Sequence, residues 1–153
     1  MATMQKITPF LWLDGRAEEA ARFYTSIFKN SRIEGQTEMS VTFRLDGLTF
    51  IAFNGGPAFT FSPALSLFVS CETQDEVDEL WTKLSEGGET LQCGWLRDKF
   101  GVSWQIVPTI LGDLLGDEDE ARSQRVMQAM LQMTKLDIKG LQDAYAREGS
   151  PIT

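Results

Sequence analysis

The stretch MSVTFRLDGLTFIAF, residues 39–53, decides the fold. Met39, Val41, Phe43 and Leu45 alternate with Ser40, Thr42 and Arg44, the period of a strand with one buried face. Asp46-Gly47 supplies the residue pair that a type I′ hairpin turn demands, because both central residues must take positive φ. Leu48–Phe53 then returns. A two-residue turn places Leu45 opposite Leu48, Phe43 opposite Phe50 and Val41 opposite Ala52, one apolar face. Ser40, Thr42, Arg44, Thr49, Ile51 and Phe53 make the other, mixed face.

Upstream, ITPFLWL (7–13) reads as a strand. Asp14 to Arg16 can cap a helix with Glu18 and Glu19 in its first turn, where the helix dipole favours acids. Ala20, Phe23, Tyr24, Ile27 and Phe28 form its amphipathic stripe, and Asn30-Ser31 closes it. Downstream, Asn54-Gly-Gly-Pro57 opens a loop through Pro63. The order then repeats. Residues 65–71 read as a strand, Thr73 and Glu76 as a capping box, and Val77, Leu80, Trp81 and Leu84 as a helical stripe ending at Gly87-Gly88. Residues 89–97 hold one or two short strands, and 102–107 a final strand with Val102, Trp104 and Ile106 on its core face. A shift of 57 superposes the two helical stripes, and a shift of 54 lays LDGLTFIAF on KFGVSWQIV. The chain reads as a duplicated βαβββ unit, an α+β fold. A different region follows Pro108. Asp117-Glu-Asp-Glu120 precedes a helix over 121–134 with a Val126, Met130 and Met133 stripe. Asp137 caps a shorter helix with Ile138, Leu141 and Tyr145, and Gly149-Ser-Pro151 ends the order.

Composition narrows the chemistry. The 153 residues carry 14 Lys+Arg against 22 Asp+Glu, a net charge of -8, with no histidine and two cysteines. A chain of this length buries roughly 68–70% of its unfolded surface and needs no metal or disulfide staple. The acidic balance argues against a nucleic-acid backbone partner. Without histidine there is no Ser-His-Asp or Cys-His device and no zinc site using imidazole. Cys71 and Cys93 are expected to be free thiols of a reducing compartment. The N-terminal stretch lacks the pattern of a signal peptide, and no apolar run approaches a membrane span. A cytoplasmic protein without a membrane partner is the expectation.

The stretches ITPFLWLDGRAEEAARFYTSIFKNS (7–31), FNGGPAFTF (53–61), CETQDEVDELWTKLSEGG (71–88), CGWLRDKFGVSWQIVP (93–108) and RVMQAMLQMTKLDIKGLQDAY (125–145) together resemble the PhnB-like branch of the glyoxalase, or vicinal-oxygen-chelate, superfamily. Members often carry the label 3-demethylubiquinone-9 3-methyltransferase. The resemblance implies a glyoxalase-like domain over 1–112, with modules at 5–56 and 64–110, and a C-terminal helical extension over 113–153. It also implies a cleft and a homodimer with strands contributed across its interface. Working members bind a divalent metal through His, Glu or Gln near the start of each module's first strand and on its last strand. Here those places hold Ile7 and Thr8, Ala64 to Ser66, Ile51 and Gln105. One neutral amide is a poor set for a divalent ion, so no metal and no cofactor are expected. A methyltransferase of the usual S-adenosylmethionine fold needs a larger parallel sheet with a Gly-rich turn after its first strand. Asn54-Gly-Gly-Pro57 follows an antiparallel return strand and opens no helix.

Three readings of function follow. In the first, the chain binds a small ligand on a concave face offering Thr42, Arg44, Thr49, Phe53, Ser103 and Gln105, rimmed by Trp12, Phe59, Phe61, Trp95 and Arg97. Aromatic walls with few polar groups suit a ligand cleft, and Arg44 suits a carboxylate or phosphate unless it is ion-paired. In the second, it is an enzyme whose acid–base groups come from Glu38, Asp98, Tyr24 or Cys93. In the third, the dimer itself is the product, with the Met-rich helix at the interface.

Overall fold

In the computed structural model, which describes residues 5–147, Asp46 and Gly47 take φ of 47° and 88°, the signs a type I′ turn requires. They join β3 (Ser40–Leu45) to β4 (Leu48–Asn54) in the register read from the sequence, Leu45 opposite Leu48 through Val41 opposite Ala52. The described residues form two compact units divided between Phe61 and Ser62.

In the first unit β1 (Phe10–Leu13) lies parallel to β4, and β2 (Arg32–Gln36) antiparallel to β3, giving the order β1-β4-β3-β2. Helix α1 (Ala17–Ile27) covers one face of this sheet, burying Ala17, Ala20, Ala21 and Tyr24 with Leu11, Leu13, Val41, Phe43, Phe50 and Ala52 of the strands. The Phe43 and Phe50 rings stack at 5.4 Å, and Tyr24 lies 6.1 Å from Phe43. Two expectations change, and a third, a cap within Asp14 to Arg16, holds in position but not through a side chain. The first strand begins at Phe10, and Ile7 is 85% exposed. Met39 precedes β3 and lies exposed. The residue capping α1 is Arg16, without a side-chain bond; Asn54 Oδ1, at the end of β4, instead accepts from Ala17 N at 2.8 Å. Strand β2 has no alternating apolar pattern because it is an edge strand with most of its residues exposed.

The second unit repeats the plan. β5 (Ser66–Cys71) lies parallel to β8 (Ser103–Pro108), β7 (Trp95–Arg97) antiparallel to β8, and β6 (Glu89–Thr90) antiparallel to β7. Helix α2 (Gln74–Ser85) buries Val77, Leu80, Trp81 and Leu84. Thr73 Oγ1 accepts from Glu76 N at 3.1 Å, while Glu76 reaches back to Glu72 N, one residue before the cap.

Three helices complete this unit: α3 (Thr109–Leu115), α4 (Glu120–Leu131) and α5 (Ile138–Ala146). Helix α3 is short, contains Gly112 and starts across the 112/113 boundary at which the extension was expected to begin. Asp119 caps α4 and Asp137 caps α5, each through its carboxylate. Val107, Leu111, Val126, Leu136 and Leu141 form their core, with Met130, Met133 and Tyr145 packed against it. Cys93 N and Gly94 N donate to Met133 O and Thr134 O at 2.8 Å. Gln74 ties the same segment to α2 by donating to Leu136 O and accepting from Ile138 N. The expected stop at Gly149-Ser-Pro151 lies outside the described residues. Both cysteines are free. No helix among the described residues is long and apolar enough to cross a membrane.

Candidate functional site

Within its own unit the first sheet carries a helix on one face alone. Strand register arranges the opposite face in rows: Arg32, Arg44 and Thr49; then Thr42, Ile51 and Phe10; then Ser40, Phe53 and Trp12. One end of this face is aromatic. The Phe53 ring lies 5.3 Å from both Phe10 and Trp12, and Trp12 meets Phe59 edge-on at 5.0 Å. The Trp12 indole N–H donates to Gly56 O at 3.0 Å, fixing the ring plane. Gly55 explains the glycine pair. A Cβ there would stand 2.2 Å from the indole, so the Trp12 ring lies directly on this backbone. Gly55 N in turn donates to Leu13 O at 2.9 Å. Phe10 and Phe59 are 54% and 65% exposed, large apolar surface left in water. Thus Trp12, Phe53 and Phe59 come together, with Thr42 in the next row. Phe61 lies half-buried further along the same loop. Phe10, absent from the sequence-derived set, shares this face with Trp12, two residues on; the uniformly apolar run FLWL does not reveal which of its residues face the core.

The other end of the face is cationic. Arg44 Nε lies 3.1 Å from Glu34 Oε1, and Arg44 Nη2 donates to Gly47 O at 3.3 Å. The ion-paired alternative considered for Arg44 is therefore present.

In the second unit Ser66, Ser103 and Arg97 share one row, and Phe68, Gln105 and Trp95 the next. All four residues expected here, Trp95, Arg97, Ser103 and Gln105, lie on the sheet face opposite the Trp104 and Ile106 core positions. Gln105 Nε2 donates to Ser66 Oγ at 3.0 Å. Ser103 is 2% exposed. Arg97 pairs with Glu89 across the strands. Val107, on the same face, is buried beneath α3–α5.

The acid–base candidates stand in structural settings. Asp98 is 3% exposed and accepts from Phe100 N, Val102 N and Trp104 Nε1. Tyr24 is buried in the α1 core, and Glu38 is exposed. Cys93 is a half-buried free thiol, while burial, aided by the Glu76 charge, pushes the thiol of the other cysteine, Cys71, up to about 12. Among the described residues no three or more of His, Cys, Asp and Glu gather as a metal site. The superfamily ligand places hold a hydroxyl at Thr8, an alkyl chain at Ile51, and the mutually bonded Ser66 and Gln105. These neutral or apolar groups do not fit a divalent ion.

Comparison with known proteins agrees with this architecture. The family model described as 3-demethylubiquinone-9 3-methyltransferase matches residues 5–107, ending just before α3. A PhnB protein from Bacillus cereus carrying the same methyltransferase label is 40% identical, covers 69% of this chain and 100% of its own, and superposes with a TM-score of 0.63. Protein PA1353 of Pseudomonas aeruginosa shares the fold at 19% identity, covering 68% of this chain and 96% of that one, TM-score 0.57. So does the fosfomycin resistance protein FosX of Listeria monocytogenes, solved with Mn(II) and sulfate, at 15% identity, with 67% and 88% coverage and a TM-score of 0.51. No curated protein gives a significant match. With two βαβββ modules and a family match over most of both, the chain belongs to the 3-demethylubiquinone-9 3-methyltransferase family, together with the PhnB protein it resembles.

Proposed function

We propose that this protein is a metal-independent binder of a small organic ligand, acting as a homodimer. The observation that carries the reading is the aromatic end of the first sheet's open face, where Trp12, Phe53 and Phe59 pack on one another with Phe10 beside them and remain partly in water. Binding sites are mostly apolar and aromatic with a few fixed polar groups, and Thr42 and the Gly56-locked indole supply rigidity and polarity here. Pre-set rings lose little entropy on binding. The homodimer rests on the family resemblance and on a physical motive: short four-stranded sheets leave edges that a second copy can pair.

The donor groups at the superfamily ligand places support a metal-free reading. The enzymatic alternative, methyl transfer included, has the family label in its favour. Against it, two of the residues that might have served as acid or base are occupied, Asp98 in a turn and Tyr24 in a core. Thermal-shift screening of aromatic and aliphatic acids, with EDTA and then with added divalent ions, tests the proposal. The expected result is a ligand-induced rise in Tm, indifferent to metal and lost in Trp12→Ala. A shift that requires metal would replace the binder with the enzyme. Light scattering should give twice the chain mass at micromolar concentration, and a monomer mass would remove the dimer.

A further inference from the structure

At the far end of the same face, residues Asn30, Ser31, Arg32, Arg44 and Gly47 line an open cavity of about 470 Å³ between the end of α1 and the β3–β4 turn. Arg32 and Arg44 stand directly opposite one another on β2 and β3. Like charges at such positions destabilise a sheet unless something lies between them. The group nearest both is Glu34, 3.1 Å from Arg44 Nε and 4.0 Å from Arg32 Nε. It occupies the point where the β2–β3 register shifts between Ile33 and Gly35, a bulge of the kind that re-aims a side chain. Two guanidinium groups therefore face one carboxylate. Arg44 Nε is at ion-pair distance from Glu34 and its Nη2 donates to Gly47 O, while the side chain as a whole is 40% exposed. One carboxylate shared by two guanidinium groups leaves a net positive charge at the cavity, which an oxyanion would neutralise.

We infer that this cavity is an oxyanion pocket, in which Arg32 and Arg44 hold the carboxylate or phosphoryl group of the ligand while Glu34 competes for the same cations. The inference deepens the reading of a ligand-binding face, on which it rests, by naming the ligand's class: an anion whose apolar part points toward the aromatic end. Four residues of β3 separate Ser40, in the row of Trp12 and Phe53, from Arg44, about 13 Å at strand spacing. An elongated aromatic acid or phosphate ester has that reach. Planar guanidinium groups suit both oxyanions through paired hydrogen bonds, so carboxylate and phosphate are distinguished by experiment.

The test titrates the full chain with inorganic phosphate and separately with acetate at constant ionic strength. Binding is read by the backbone amide shifts of Asn30, Ser31 and Gly47. One of the two anions should give a saturable response that chloride does not. Arg44→Gln should weaken it at least tenfold and Arg32→Gln several-fold. Glu34→Gln should strengthen it several-fold, a gain that misfolding cannot mimic and that decides the matter should Arg44→Gln fail to fold. A response to both anions no different from that to chloride would overturn the pocket, as would unchanged affinity in Glu34→Gln. Tryptophan fluorescence with neutral aromatic compounds, read as the difference between the native chain and Trp12→Phe and run in parallel, separates the two ideas. A Trp12 response without anion binding leaves the ligand face standing and removes the pocket. Anion binding without it removes the aromatic site alone.

Discussion

Replacing Asp98 with alanine should cost this protein about 3–4 kcal/mol, and the figure follows from three hydrogen bonds. Asp98 sits in the β7–β8 turn, with Oδ1 accepting from Phe100 N at 2.9 Å and Val102 N at 3.0 Å, and Oδ2 accepting from Trp104 Nε1 at 2.8 Å. Val102 and Trp104 are buried, 4% and 2% exposed. Each buried donor left without an acceptor costs roughly 1–3 kcal/mol, and a carboxylate makes the stronger kind of bond. The Phe100 amide, only part-buried, can turn to water, so two donors carry most of the loss. For a chain of this size, Tm should fall on the order of 6–16 °C. Asp98→Asn refines the test. It keeps one oxygen but sets an NH₂ against the amides or the indole N–H, and should forfeit more than half of the same energy. Urea unfolding followed by both fluorescence and circular dichroism gives the loss, provided the two probes coincide. A double-mutant cycle with Trp104→Phe should show coupling above about 1 kcal/mol. A loss below about 1 kcal/mol in Asp98→Ala, or additivity in the cycle, would refute the claim that this carboxylate organises the turn.

Gly55→Ala should displace the Trp12 indole, whose ring leaves no room for a Cβ; Trp12 emission should shift and aromatic-ligand binding fall at least tenfold with little loss of secondary structure. Cys71, held at about 12 by burial and by Glu76, should resist a thiol reagent at pH 8 in the native state while the half-buried Cys93 reacts, and equal rates would contradict the packing. The same shift sets a sign. The folded thiol holds its proton above the unfolded value, so its contribution is intact below the unfolded pKa and is lost as pH rises toward 12. At the acid end, Tyr145 holds the Asp117 carboxyl below its usual range, Gln74 and Lys135 that of Asp78, and Arg22 and Gln36 that of Glu18. Stability from these groups is complete above the unfolded carboxylate pKa and declines as pH falls through the lowered values. Tyr145→Phe should therefore raise the Asp117 pKa measured by NMR.

How far the sequence revealed this molecule depended on the kind of signal each element carried. Strands β3 and β4 were legible to the residue because alternation and Asp46-Gly47 agree on one register. Both module helices were legible from apolar spacing, and Thr73 from its hydroxyl. Strand β2 was not, because RIEGQ pairs on one side only and leaves most side chains in water, which removes the pattern that burial imposes. Helix α3 was not, being seven residues with an internal glycine and three buried or part-buried leucines whose contacts arise from α4 and α5 rather than from local preference. The candidate site split the same way. Which side chains share a face follows from period two and was readable. That Asn54 caps α1, or that Glu34 reaches Arg44, depends on chain segments distant in register and was not.

The duplicated frame shows how one architecture takes on two characters. The last strands of the modules place Ile51 and Gln105 at matching positions, both on the face away from the module's helix. Around Ile51 the first module has kept its face open, aromatic at one end and cationic at the other. Around Gln105 the second module has spent its polar groups internally, Gln105 on Ser66 and Arg97 on Glu89, and has buried Val107 under helices that the family model does not include. In the first module Arg32 and Arg44 share the single carboxylate of Glu34, whereas beside Gln105 the one arginine of the face, Arg97, has Glu89 to itself among the described ion pairs. Two guanidinium groups on one carboxylate leave a positive charge that an anion can balance, and this asymmetry is the physical reason for assigning the anion to the first module rather than the second.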